Sequence, residues 1–186
     1  MSLGSTSRTE LLDSIAKLAA CAIPAVVVEP ADDFTDPGYN ADKARCGSSV
    51  GAVIVAAAGN DGSAAIRQYP AAEGSYGLLA VGASNANGRL AAFSNFGAWV
   101  DVAAPGKGIT STVPGGAYGT WSGTSMAAPL VAGTAALVRA LSPGLKPKNL
   151  TRRLVRLSSA LCGTQLRQID AAAAVLNVAP PDNACR

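Results

Sequence analysis

The sequence predicts an α/β fold with a mainly parallel sheet, on three observations. Gly51-Ala52-Val53-Ile54-Val55-Ala56-Ala57-Ala58 is a continuous apolar run without alternation, which suits a strand covered on both faces. From Thr124 to Leu141 the chain is apolar on every side, the pattern of a central buried helix. The 186 residues are 49% hydrophobic, 5% aromatic and 15% charged, below the roughly 25% charge of ordinary domains. Disorder is thereby excluded, and the core must be built from Ala, Val, Leu and Ile, with Gly permitting close backbone approach.

Taken in order, Ser7-Arg8-Thr9-Glu10 fits a capping box, and Leu11, Leu12, Ile15, Leu18, Ala19 and Ala22 follow at helical spacing. A helix over about 8–22 is expected, ended by Pro24. Ala25 to Val28 reads as a short strand, and Glu29 to Gly38, rich in Asp and Pro, as a surface loop. The apolar run at 51–58 stops at the turn signal Gly59-Asn60-Asp61-Gly62. Leu78 to Gly82 and Ala98 to Ala103 are two further strands, each bounded by Gly, Asn or Pro. In the 124–141 helix, Pro129 falls in the first turn or just after, where a missing N–H costs little. Ser142-Pro143-Gly144 closes it. A helix over about 147–160 turns Leu150, Leu154 and Leu157 inward and Lys148, Arg152, Arg153 and Arg156 outward as a solvated face. There is no internal repeat.

The chain has no histidine. It therefore contains no imidazole base, no complete Ser-His-Asp or Cys-His set and no His-ligated zinc site. A net charge of +3 without a dense Lys/Arg block gives no support for nucleic-acid binding. The uncharged stretch from Gly108 to Val138 is long enough to span a bilayer but is too polar and too broken by Pro and Gly for a lipid-facing helix. Met1-Ser2-Leu3-Gly4-Ser5-Thr6-Ser7 has neither the basic nor the apolar region of a signal peptide. Cys21, Cys46, Cys162 and Cys185 suit either two disulfides or four buried or idle thiols.

The segment that carries chemistry is Gly123-Thr124-Ser125-Met126-Ala127-Ala128-Pro129. A serine on a Gly-Thr turn at the mouth of a buried helix has outward-pointing N–H groups and a positive helix end beside it, which suits an acyl-transfer nucleophile. On position alone, a serine N-cap explains it better. The surrounding letters reverse that judgement: Gly-Thr-Ser-Met-Ala-Ala-Pro-Leu-Val-Ala-Gly at 123–133 resembles the serine-nucleophile signature of the subtilisin-like serine proteases, the subtilases. Leu130 stands where many members have a histidine that is not the catalytic one.

Three further regions match in the family's order. Val55-Ala56-Ala57-Ala58-Gly59-Asn60 resembles the strand ending in the oxyanion-hole asparagine, which implies that Asn60 donates to the oxyanion together with the Ser125 N–H. Ser2, Leu3 and Gly4, after Met1, resemble the strand that pairs with the substrate backbone, with Ala57, Ala58 and Gly59 as the other wall of the pocket before the scissile bond. Phe93-Ser94-Asn95-Phe96-Gly97, Val100 to Gly106 and Ile169 to Val175 resemble scaffold segments without chemistry.

The resemblance implies a subtilisin-like three-layer arrangement lacking the amino-terminal part of the family domain, because the family's catalytic Asp and His precede the serine in chain order. Residues 1–186 would then be a partial catalytic domain, with an insertion at about 24–46 flanked by Cys21 and Cys46. Asp101 lies in the wrong segment to replace the triad carboxylate. A start inside a family strand motif suggests a truncated gene, a misplaced start codon or a partial sequence.

The implied activity is that of a serine endopeptidase acting on peptides or proteins. Its missing amino-terminal half supplies the rest of the triad, and the chain alone is expected to be inactive. The alternative is a catalytically dead peptide-binding domain that pairs a peptide with the Ser2-Leu3-Gly4 edge. A plain α/β scaffold with a serine cap is disfavoured by four motifs in family order. Family likeness also implies a secreted or extracytoplasmic parent, stabilised by calcium in many members, although no cofactor or metal site can be assigned in this chain. The expected disulfides are Cys21–Cys46 and Cys162–Cys185.

Overall fold

The structure is a computed structural model and describes residues 6–7, 51–74 and 77–181. The expected helix at 8–22, the strand at 25–28, the insertion at 24–46 and the Ser2-Leu3-Gly4 edge lie outside the described residues.

Five strands form one sheet in the order β1-β2-β3-β7-β6. Its parallel part comprises β1 (Ile54–Ala57), β2 (Leu78–Ser84), β3 (Val102–Pro105) and β7 (Arg167–Gln168). Strand β6 (Ser159–Ala160) joins β7 antiparallel at the edge. The register sets Ile54 opposite Leu78 and Val81 opposite Val102. Successive side chains of a strand point to opposite faces. Val55, Leu79, Val81 and Ala83 accordingly enter the main core, while Ala56 and Ala80 pack with Ala71 and Trp99 on the other side. All seven residues of β2 are buried. Two covered faces explain the lack of hydrophobic alternation.

The strands expected at 51–58 and 78–82 are present with shifted ends, but the third differs. Residues 98–101 are irregular and β3 begins only at Val102. Gly97, at φ +119°, turns the chain there, and Val100 N–H bonds its carbonyl at 3.1 Å.

The helical layer lies on the Val55–Val81 face. Helix α1 (Thr124–Leu141) has the predicted bounds and packs across β1, β2 and β3 through Ala127, Ala128, Val131, Ala135 and Val138. It is long and apolar enough to cross a membrane by length and composition alone, yet this face is core. It is not buried all round: Leu137 and Leu141 are 56% and 66% exposed.

Helix α2 (Pro147–Arg156) buries Leu150 and Leu154 as expected and stops four residues short of the expected end, because the chain turns at Leu157 into β6. Arg153 does not face solvent as expected. Its Nε and Nη2 donate to the Ala174 and Val175 carbonyls at 2.7 and 2.8 Å, at the end of helix α3 (Ala171–Leu176). Helix α3, strand β7 and the hairpin of β4 (Ile109–Val113) and β5 (Ala117–Trp121) have no counterpart in the sequence reading, and β6 stands where the end of the 147–160 helix is expected. The hairpin is mostly exposed on both faces, so its sequence shows no alternation of apolar and polar residues.

Candidate active site

Both ends of the site are carboxyl ends of parallel strands, where open α/β sheets place ligands. Asn60 follows β1, and Gly106, directly after β3, receives the start of α1. The Gly123 N–H donates to the Gly106 carbonyl at 2.8 Å. A Cβ on Gly106 would lie 2.6 Å from Ala83 Cβ and 2.8 Å from the Gly123 carbonyl oxygen. Only glycine allows the helix to seat this close to the sheet.

Ser125 is the second residue of α1. The N-cap is Gly123, and no side chain of the cap residue bonds the helix. The explanation of Ser125 as a helix cap therefore fails. The capping acceptor comes from across the sheet, since the Thr124 N–H donates to Asn60 Oδ1 at 2.8 Å and the Thr124 hydroxyl donates to the same oxygen at 3.1 Å. An N–H can only donate, so the Asn60 atom facing it is the carbonyl oxygen and the amide Nδ2 is left over. Among the described residues neither Nδ2 of Asn60, nor the Ser125 N–H, nor the Ser125 hydroxyl has a hydrogen-bond partner. Two open donors and one open hydroxyl thus stand near the positive end of an 18-residue helix. Pro129 is the sixth helical residue, just past the first turn, and the hydrogen bond it cannot make is the one to the Ser125 carbonyl.

The loop that carries Asn60 is fixed from beneath by Asn95, which is fully buried. Asn95 Nδ2 reaches the Ala58 and Ile66 carbonyls at 3.0 and 3.1 Å and Asp61 Oδ2 at 3.0 Å. Its Oδ1 accepts the Asp61 and Ser63 N–H groups at 2.9 and 3.2 Å. Gly59 is required beside it: φ is +104°, and a Cβ would come within 2.5 Å of Asn95 Nδ2. The Gly59 N–H donates to Thr124 Oγ1 at 3.1 Å, closing the link between loop and helix.

The network ties Asn60 to Thr124, the residue before Ser125, and neither Thr124 nor Asn95 is singled out for a role by the sequence. A threonine flanked by Gly and Ser reads as turn chemistry, and nothing local tells that its hydroxyl will bridge 64 positions. Of the expected pocket wall, Ala57 and Gly59 are half-buried, whereas Ala58 is fully buried and its carbonyl is taken by Asn95. Asp101 serves the scaffold: its Oδ2 accepts the Ala80 N–H at 2.7 Å. Burial pushes its carboxyl above the ordinary value, with that hydrogen bond acting against the rise.

A model of the subtilase family, the peptidase S8 group, matches residues 1–174. The chain belongs to the subtilase family. This subtilase is 41% identical to subtilisin BL of Lederbergia lenta over 119 residues, which are 64% of the chain and 43% of that relative. It is 50% identical to subtilisin NAT of Bacillus subtilis subsp. natto over 98 residues, 51% of the chain and 25% of the relative. Among solved structures, the subtilase chain superposes with TM-score 0.61 and 35% identity on proteases from Pseudoalteromonas arctica PAMC 21717, covering 67% of this chain and 42% of that one. A cold-adapted subtilisin-like serine proteinase gives TM-score 0.56 and 37% identity, covering 62% and 42%. The matched part thus spans less than half the length of each of these relatives.

Proposed function

We propose that these residues form the nucleophile and oxyanion part of a serine endopeptidase, with the imidazole base and its orienting carboxylate supplied from outside the 186 residues. The hydrogen bond from Thr124 N–H to Asn60 Oδ1 carries the reading, because it leaves the Asn60 amide as a donor beside Ser125. In this mechanism Ser125 Oγ attacks the peptide carbonyl carbon while its proton passes to the imidazole. Asn60 Nδ2 and the Ser125 N–H receive the oxyanion, and collapse expels the amine, which takes the proton. Water then hydrolyses the acyl-enzyme by the reverse sequence of transfers.

Peptide or protein segments are the substrates. They pair with the Ser2-Leu3-Gly4 edge, and Ala57, Ala58 and Gly59 form one wall of the pocket, Ala58 by its backbone only. Residues 1–186 act as a partial catalytic domain with an insertion at about 24–46. Its parent works outside the cytoplasm, and Cys21–Cys46 and Cys162–Cys185 are its disulfides. Cys162, the described member of the four, carries no free thiol, which supports a disulfide at that position.

The absence of histidine favours one competing reading, a subtilase-like domain that binds peptides without cleaving them. Expression of the 186-residue chain beside an upstream-extended chain, with a chromogenic peptide assay of both, separates the two. The protease reading expects hydrolysis by the extended chain alone and its loss on Ser125→Ala. Saturable peptide binding without turnover by both chains would favour the binding domain instead.

A further inference from the structure

Residues 102–169 carry eight Lys and Arg and no Asp or Glu, whereas the first 101 residues carry ten acidic against six basic residues. Part of this excess is structural. Arg153 binds the carbonyls at the end of α3, and Arg167 donates to the Ser158 carbonyl. Arg152 and Arg156 are different: both are exposed and neither has a hydrogen-bond or ion-pair partner among the described residues. With Lys148 they stand at i, i+4 and i+8 of α2, about 6 Å apart along one side of the helix. The three rim a cavity of about 490 Å³ floored by Leu78, Leu79 and Val155. Among the described residues Asp101 is the one carboxylate lining it, and its Oδ2 is engaged by the Ala80 N–H. Leu78 opens β2 and Asp101 directly precedes β3, so the cavity lies at the amino ends of the parallel strands. Ser125 and Asn60 lie at the carboxyl ends.

We propose that this cavity is an exosite for an acidic segment of a polypeptide, held in extended form with carboxylates at every second residue. Alternate side chains of an extended chain recur on one side about every 6.6 Å, close to the spacing of the cations on α2. Guanidinium forks pair with carboxylates through two parallel hydrogen bonds, and the apolar floor receives the methylenes of glutamate. A single-stranded nucleic acid fits less well because no aromatic side chain is found among the described residues lining the cavity for bases to stack on. A membrane fits less well because Leu150 and Leu154 of α2 are buried and Val155 is half-buried in the cavity floor. The protease reading enters only in the choice of a polypeptide as ligand.

The test is fluorescence anisotropy of a fluorescein-labelled peptide of alternating Glu and Ser, using the full chain with Ser125→Ala so that cleavage cannot intervene. Saturable, salt-sensitive binding that weakens about fivefold or more in the Arg152→Gln, Arg156→Gln double variant is expected. The double variant should melt with the parent, since both side chains are exposed. No binding, or equal binding by the double variant, overturns the proposal. So does tighter arginine-dependent binding of a labelled oligonucleotide or of anionic phospholipid vesicles. The readout does not depend on catalysis, so its failure would leave the protease reading standing, and loss of Ser125-dependent cleavage would leave the exosite standing.

Discussion

Asn60 has two duties that substitution can separate. Its Oδ1 caps Thr124, and its Nδ2 is the proposed oxyanion donor. Asn60→Asp keeps an acceptor for the Thr124 N–H while replacing the donor by a negative charge. In the completed enzyme this variant should therefore melt close to the parent but lose at least about 10²–10³ in kcat, the cost of one such donor in subtilisin, a member of this family from which the figure is taken. Unchanged kcat with a lowered melting temperature would reduce Asn60 to a cap. Asp101 gives a pH prediction. Its carboxyl is raised on folding by burial, against the Ala80 hydrogen bond, so the folded state holds that proton more tightly than the unfolded chain. The resulting stabilisation is full below the unfolded value and is lost as pH rises through the folded one. Asp101→Asn should remove this component, so the melting temperature should fall less between about pH 3 and pH 7 than in the parent. Superimposable profiles would count against it.

At the scale of elements, the site depends on a loop and a helix end held together by side chains. Asn95 satisfies the backbone of the 58–66 loop from the buried side, and Asn95→Ala strands several of these groups at once. The expected destabilisation is about 3 kcal/mol, measurable by denaturant unfolding, with kcat falling further than the melting shift explains because Asn60 loses its support. A variant with full activity would show that the loop holds itself. The elements legible in the sequence are those whose pattern reports burial. The presence of β1 and β2 and the bounds of α1 are legible because both faces of the sheet and one face of the helix are covered by the chain's own apolar residues. The β4–β5 hairpin is not, since Thr110, Thr112, Tyr118 and Thr120 on one face and Ser111, Ala117 and Trp121 on the other are exposed. Nor is the role of Arg153, whose partners are carbonyls at the end of a helix 21 positions away. The motifs point to Ser125 and Asn60, but the contacts that hold the Asn60 loop at the start of α1 run through Thr124 and Asn95, where the sequence shows only turn and scaffold.

For the whole molecule, helix α1 shows two characters. The side bearing Val131, Ala135 and Val138 is core, while Leu130, Leu137 and Leu141 on the other side are exposed. The 186-residue chain expressed alone should self-associate through this surface, and Leu137→Gln with Leu141→Gln should reduce that association in sedimentation velocity without loss of helix content. A monomer at all concentrations would contradict it. The central claim is that Ser125 is the nucleophile of a protease whose base lies elsewhere. It is tested most directly by treating the upstream-extended protein with a serine-directed phosphonate and mapping the adduct by peptide mass spectrometry. One adduct is expected, on Ser125, absent from Ser125→Ala and from the 186-residue chain alone. An adduct on another serine, or peptide hydrolysis that survives Ser125→Ala, would contradict it.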